Sequence, residues 1–282
     1  MKRLDTGLSG CKLELIEPDI LRKYSSSKDY NLRLNLQINK QKLFSNQIFK
    51  NIQAPKVLNV HQEDLYFFDM EYVSGYSFFE YFSVSNLNDI NFVLTSLFSY
   101  FDFLIETKKE YKSKVSREKI LKKIKSLYDI TSHKQDLLFI EDLVVKNELN
   151  IPQTFCHGDL TFTNIIFHPS RLYFIDFLDC FIDTFLSDLV KLKQDLYYGW
   201  SLNIQKIESL RVKTIYSYLW KKIENRYSEY IHTLEFEVLD VLNTLRLDPY
   251  LTDPSQRIII TKMLKNSSLY ENFNCSYGGT FE

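Results

Sequence analysis

The chain has 282 residues, 45% hydrophobic and 25% charged, with a formal net charge of −1. That balance is ordinary for a soluble globular protein with a sizeable core, and a near-neutral chain is not a general nucleic-acid binder. No run of about eighteen apolar residues predicts a membrane span, and the opening Met1-Lys2-Arg3-Leu4-Asp5-Thr6 lacks the apolar core of a signal peptide.

In chain order, Gly7-Leu8-Ser9-Gly10 predicts a tight turn. Residues 11–17 alternate as a strand, Pro18-Asp19 turns the chain, and 20–25 return as its partner. Asp29 is placed to cap a helix running to about Lys50, and on a 100° wheel Leu32, Leu36 and Leu43 share one face, which predicts its core side. Pro55 ends that segment, and residues 57–60 and 65–70 read as two strands around Gln62-Glu63-Asp64.

Glu71-Tyr72-Val73-Ser74-Gly75 follows an apolar strand and precedes a short aromatic helix at 77–82, which predicts a connection between a lobe at 1–75 and a lobe at 76–282. The second lobe reads as mainly helical, near 88–108, 116–130, 133–148, 185–199, 203–225, 227–246 and 254–272, with Asp183 or Ser187 capping the helix that carries Leu189, Leu192 and Leu196. Short strands at 153–156, 164–167 and 172–177 interrupt these helices, the last two joined by the turn His168-Pro169-Ser170-Arg171. There is no repeat and no low-complexity tract. Cys11, Cys156, Cys180 and Cys275 are far apart and form no Cys-x-x-Cys pair, so neither structural zinc nor a disulfide framework is expected, and a reducing cytoplasm fits.

The chemistry concentrates in His157-Gly158-Asp159-Leu160-Thr161-Phe162-Thr163-Asn164, followed by Leu172-Tyr173-Phe174-Ile175 and Asp176. Phosphoryl transfer from a metal-bound nucleotide needs one carboxylate facing the acceptor hydroxyl, and an amide plus a second carboxylate to hold magnesium. The pattern His-x-Asp-x-x-x-x-Asn, then a strand ending in Asp, supplies all three. Asp-x-x-x-x-Asn alone is common in loops, and a single histidine is most often structural; the conjunction, on a hairpin that draws Asn164 and Asp176 together, carries the inference. Residues 1–60 hold eleven Lys/Arg against five Asp/Glu, a net of +6, which leaves the remainder near −7. Ordinary surface scatter and a basic roof over nucleotide phosphates both account for that asymmetry.

His157-Gly158-Asp159 with Asn164, then Ile175-Asp176-Phe177, resembles the signature of the aminoglycoside phosphotransferase and choline kinase superfamily, and the form Cys-His-Gly-Asp-Leu-Thr-Phe-Thr-Asn is similar to bacterial phosphotransferases found with surface-polysaccharide genes. The resemblance implies an α+β, bilobal, protein-kinase-like fold: a small N-terminal antiparallel sheet with one helix, and a larger mainly helical C-terminal lobe. It implies ATP and Mg2+ as cofactors and a small-molecule hydroxyl acceptor such as a sugar, amino sugar or amino alcohol. Asp159 would be the catalytic carboxylate, Asn164 and Asp176 the metal ligands, and His157 a brace for the loop. Lys23 stands where the family keeps its phosphate-contacting lysine, with Arg22 next to it on the other strand face. Ser9 and Gly10 would offer backbone amides to the phosphates, with a plain tight turn as the alternative, and Glu71 and Val73 would present backbone groups to the adenine edge. Gly158 replaces the arginine of protein kinases, and no Ala-Pro-Glu segment follows, which favours a small acceptor over a protein. Residues 30–50 contain no Glu or Asp to pair with the lysine; Asn39 lies on the face where a partner is expected. That departure keeps a non-catalytic, nucleotide-binding pseudokinase as one alternative, and an aminoglycoside-modifying kinase is another.

Overall fold

The computed structural model describes residues 2–4, 11–110, 113–251, 254–267 and 269. It divides into two compact units, one formed by Met1–Phe103 and His157–Cys180, the other by Leu104–Cys156 and Phe181–Glu282.

The first unit opens with β1 (Lys2–Leu4), β2 (Leu13–Glu17), β3 (Ile20–Tyr24), α1 (Asn31–Ser45), β4 (Ile52–Gln53), β5 (Val57–His61), β6 (Phe67–Glu71), α2 (Phe78–Val84) and α3 (Leu87–Glu106). Five strands form an antiparallel sheet in the order β1-β2-β3-β6-β5. The short edge strand β1 is the one strand of this sheet that alternation did not announce. Cross-strand partners share a face, and the β3–β6 register pairs Leu21 with Met70, Arg22 with Asp69 and Lys23 with Phe68. Leu21, Phe68 and Met70 pack with Leu34 and Ile38 of α1. On the other face Arg22 forks onto both Asp69 carboxylate oxygens at 2.6 and 3.0 Å, with its guanidinium 4.3 Å from the Phe67 ring centre.

Helix α1 corrects two expectations. Leu32, Leu36 and Leu43 are exposed, at 71%, 46% and 58%, and the buried face is Leu34, Gln37, Ile38, Gln41 and Phe44. Apolar residues recur at helical spacing on both sides of the wheel, and the side that wins is the one whose amides find partners: Gln41 Nε2 donates to the Pro55 carbonyl at 2.7 Å. The N-cap is Tyr30 rather than Asp29, with no side-chain capping bond.

After β6 the chain runs through residues 72–77 into α2. Ser77 and Glu80 form a reciprocal capping box that starts α2, whose Phe78, Tyr81 and Phe82 are buried. In the second unit, β7 (Lys109–Glu110) pairs with β8 (Pro152–Gln153) around α4 (Ser113–Leu127) and α5 (Lys134–Lys146). The strand expected at 153–156 is thus shorter and earlier. The chain returns to the first unit with β9 (Ile165–His168) and β10 (Arg171–Phe174), an antiparallel hairpin whose second strand also pairs in parallel with β4.

The second unit resumes with α6 (Phe185–Leu192), which continues into a π-helical turn at Lys193–Tyr197, then α7 (Trp200–Ile204), α8 (Leu210–Arg226), α9 (Ser228–Ile231), α10 (Leu234–Leu245) and α11 (Pro254–Lys265). Thr184, not Asp183 or Ser187, caps α6, its hydroxyl accepting from the Leu186 amide at 3.3 Å. Lys193 of the π-turn meets Asp240 of α10 at 2.7 Å, both side chains nearly buried. No described helix is long and apolar enough to cross a membrane.

Gly75 fixes the connection to the hairpin. Tyr76 and Phe167 exchange backbone hydrogen bonds at 2.8 and 2.9 Å, and a Cβ on Gly75 would lie 2.5 Å from Ile166 Cγ2 and 2.8 Å from the Phe167 carbonyl oxygen. Gly75→Ala is therefore expected to destabilise the protein by roughly 1–3 kcal/mol through overpacking, read as a lower denaturation midpoint at unchanged m-value. An unaltered midpoint would mean that the connection does not sit against the hairpin.

Candidate active site

The loop before the hairpin is built around a fully buried histidine. His157 Nε2 lies 2.8 Å from the Ile175 carbonyl, so Nε2 must donate, and Nδ1 accepts the Asp159 amide at 3.2 Å. Both bonds suit one neutral tautomer, with the proton on Nε2. The ring thus ties the loop to the end of β10, and Leu178 N–H closes the link by donating to the His157 carbonyl at 3.0 Å. Gly158 has φ +93°, and a Cβ there would run into the Leu178 carbonyl and Cys180 Sγ, so no side chain fits where protein kinases carry arginine.

Asp159 and Asn164 are joined directly. The Asn164 amide donates from Nδ2 to the Asp159 carbonyl at 2.8 Å and to its Oδ2 at 3.1 Å. A single 3-10 turn at Phe162–Asn164 makes this possible, closed by Asn164 N–H to the Thr161 carbonyl at 2.9 Å. With Nδ2 committed, Oδ1 is the acceptor atom that remains. The hairpin then sets the opposite side: Phe174 pairs with Ile165, and the Ile175 amide donates to the Asn164 carbonyl at 3.0 Å. Asp176 follows immediately, at φ +61°, in a left-handed conformation that Asp and Asn tolerate better than other side chains.

Across from it, β3 carries Lys23 with 6% exposure. Its ammonium donates to the Asp176 carboxylate and to Gln37 Oε1 of α1 at 3.3 Å. Burial pulls the Lys23 pKa down, but the charge and hydrogen bond of Asp176 outweigh it, and the net is a raised value. A group with a raised folded pKa contributes its stabilisation in full below the unfolded value of about 10.4 and loses it only at higher pH. The Lys23 ammonium therefore stays charged throughout the neutral range. Arg22, the neighbouring alternative, is engaged by Asp69 on the opposite face.

Lys23, Glu71, Val73, Asn164 and Asp176 line one cleft of about 420 Å3, with apolar walls that include Leu13, Leu21 and Met70. Asp159 is joined to this group through Asn164. The Glu71 side chain accepts from the Lys56 amide at 3.1 Å, so its carboxylate serves the strand rather than the cleft. Ser9 and Gly10 lie outside the described residues. Asn39 is exposed, and the helix residue that meets Lys23 is Gln37. Gln37 lies three residues after Leu34, one before Ile38 and four before Gln41, on a face that the three exposed leucines obscured. Trp200 and Tyr198 are buried in the second unit, while Tyr197 is half exposed.

The Asn164 amide oxygen and the Asp176 carboxylate fit a hard divalent cation, being oxygen donors without thiol or imidazole. Residues 118–213 match the phosphotransferase enzyme family (APH). The ADP-bound aminoglycoside phosphotransferase APH(2'')-Ib is 16% identical, with a TM-score of 0.59, over 95% of this chain and 93% of that one. The chain has the aminoglycoside phosphotransferase fold. A second enzyme of that name, APH(2")-IIa in ternary complex with streptomycin and ATP, gives 15% identity and a TM-score of 0.61 over 95% and 91% of the two chains. A glucosamine kinase with glucosamine, ADP and inorganic phosphate gives 10% and 0.53 over 95% and 82%. No curated protein matches the sequence. The superfamily resemblance carried by His157 to Asp176 is thus shared by the family match and by the fold, which is α+β and kinase-like.

Lys23 and Asp176 form an ion pair and are therefore energetically coupled. A double-mutant cycle with Lys23→Met and Asp176→Asn should give a coupling energy of about 0.5–3 kcal/mol in urea titrations at neutral pH without nucleotide. Strict additivity would show that the pair does not form in solution.

Proposed function

We propose that the chain is an ATP- and Mg2+-dependent phosphotransferase that phosphorylates a hydroxyl of a small metabolite. The observation that carries this reading is the gathering of Lys23, Asn164 and Asp176 on one cleft, with Asp159 bonded to Asn164. Residues 1–75 would hold the nucleotide and 76–282 the catalytic and acceptor groups. Backbone groups of Glu71 and Val73 would meet the adenine edge, and those of Ser9 and Gly10 the phosphates. The Val73 amide makes no hydrogen bond among the described residues, which leaves it available to a base.

In this reading Asp159 receives the proton of the acceptor hydroxyl while that oxygen bonds to the γ-phosphorus and the bond to the β-phosphate oxygen breaks, releasing ADP. Transfer of this kind depends on positioning and charge more than on a strong base, and Asn164 supports both by orienting the Asp159 carboxylate. Asn164 Oδ1 and the Asp176 carboxylate would hold Mg2+, which when bound neutralises charge on the phosphate oxygens. Lys23 would donate to the nucleotide phosphates. Gly158 leaves no arginine to answer a phosphorylated activation segment, which favours a small acceptor.

The acceptor class is narrower by likeness alone. Solved structures of the same fold are named for streptomycin, gentamicin and kanamycin complexes and for glucosamine, which favours an amino sugar, sugar or amino alcohol. A role in surface glycoconjugates in the cytoplasm follows from the sequence resemblance, and aminoglycoside modification is the alternative that these neighbours favour. One observation favours nucleotide binding without turnover: an amide, Gln37, stands where kinases keep an acid.

Transfer of labelled phosphate from ATP across sugars, amino sugars, amino alcohols and aminoglycosides tests the proposal. Asp159→Asn should lower turnover by about 10²–10⁴-fold and leave ATP affinity within about twofold of the parent. Turnover equal to the parent would remove Asp159 from its role, and Mg2+-dependent ATP binding with no transfer to any acceptor would favour the non-catalytic alternative.

A further inference from the structure

Lys23 has two side-chain partners among the described residues, and only one of them is charged. An ammonium can only donate, so Gln37 must turn its amide oxygen to it. The Gln37 NH2 is then directed to Tyr30 Oη, which accepts at 2.8 Å. Gln37 is 3% exposed and Lys23 6%, so both polar groups are buried. Helix α1 therefore orients the ammonium without neutralising it. Neutralisation falls to Asp176, 153 residues further along the chain, whose carboxylate is bonded among the described residues by Lys23 alone.

We propose that Gln37 is a positioning residue that makes Lys23 an internal counter-cation for Asp176, so that metal and nucleotide are admitted to the cleft together and poorly one at a time. This rests on the reading of Lys23 and Asp176 given above. In the nucleotide-free chain the ammonium occupies the carboxylate that a divalent ion would use. A polyphosphate draws Lys23 towards itself, and because Gln37 carries no charge, nothing on α1 opposes that exchange. Asp176 is then open to metal. Phosphates and metal thus each relieve what excludes the other, and the coupling is reciprocal by linkage. A carboxylate in place of the Gln37 amide would accept from both Lys23 and Tyr30 Oη. It would keep the ammonium on α1 and leave Asp176 open without nucleotide.

The test is direct binding of Mn2+ to the full chain without nucleotide, followed by electron paramagnetic resonance of the free ion. Gln37→Glu should tighten binding by at least about fivefold, and Lys23→Gln, which removes the counter-cation outright, should do so as well. Gln37→Leu should not. In Gln37→Glu the ratio of nucleotide affinities with and without Mn2+ should shrink by the same factor. If Gln37→Glu and Lys23→Gln bind Mn2+ no better than the parent, or if Gln37→Leu tightens it equally, the counter-cation role is overturned. Asp176→Asn separates the two levels of inference: Mn2+ affinity that survives this change in the Gln37→Glu background overturns Asp176 as the metal ligand, and with it the reading on which the proposal stands.

Discussion

The site depends on one backbone constraint, the antiparallel register of β9 and β10. Because Phe174 faces Ile165, the bond from the Ile175 amide to the Asn164 carbonyl is the rung at the mouth of the hairpin, and Asp176 lies one residue past it. A one-residue slip would turn alternate side chains to the opposite face and separate the amide from the carboxylate. The surroundings resist that slip at three points. His157 holds the Ile175 carbonyl, the Tyr76 bridge holds Phe167, and β4 pairs with Leu172 and Tyr173 from the far side. Two of these restraints require glycine, Gly158 because its φ is positive and Gly75 because the backbones touch.

Helix α1 carries the second half of the geometry, and polar contacts decide which way it faces. Arg33 pairs with Asp179 at 2.8 Å, but both are substantially exposed, and such pairs contribute about 0–1 kcal/mol. Lys40 donates to the Leu178 carbonyl at 2.8 Å. Neither bond has the strength to orient a helix against its apolar surface. Burial of Leu34 and Ile38 against Phe68 and Met70 supplies the free energy. Gln37 and Gln41 set the rotation, because each would leave a buried amide unsatisfied if the helix turned.

This division explains what sequence reasoning could and could not reach. The motif from His157 to Asp176 is local: its loop, turn and hairpin are encoded within twenty residues, and its spacing alone predicts which oxygens come together. The lysine strand was readable to within the choice between Arg22 and Lys23, because alternation assigns faces but does not say which face meets the cleft; Asp69, on a strand far along the chain, takes Arg22. The face of α1 was misread for a different reason. Its buried side contains two glutamines that hydropathy counts as surface, and its exposed side contains three leucines. The partner of Lys23 is legible only once Gln37 is known to point inwards, a non-local fact that no period in the helix encodes. The cap at Tyr30 and the cap at Thr184 were missed because neither an aromatic N-cap nor the choice among Asp183, Thr184 and Ser187 follows from residue type.

An amide beside a buried lysine is sufficient under one physical condition. A buried ammonium left without a counter-charge costs about 3–5 kcal/mol, so a lysine that must serve an incoming anion needs a partner before the anion arrives and a way to leave it afterwards. A helix carboxylate meets the first need permanently. Asp176 meets it conditionally, since on the proposed reading its own alternative partner is a divalent ion that arrives with the phosphates. Every state along that exchange keeps Lys23 and Asp176 compensated: with each other when the cleft is empty, and with phosphate and metal when it is filled. The amide of Gln37 contributes direction in both states and charge in neither. Replacing it by an apolar side chain would remove the direction; replacing it by an acid would remove the conditionality. That asymmetry separates a residue that positions from one that merely fills space.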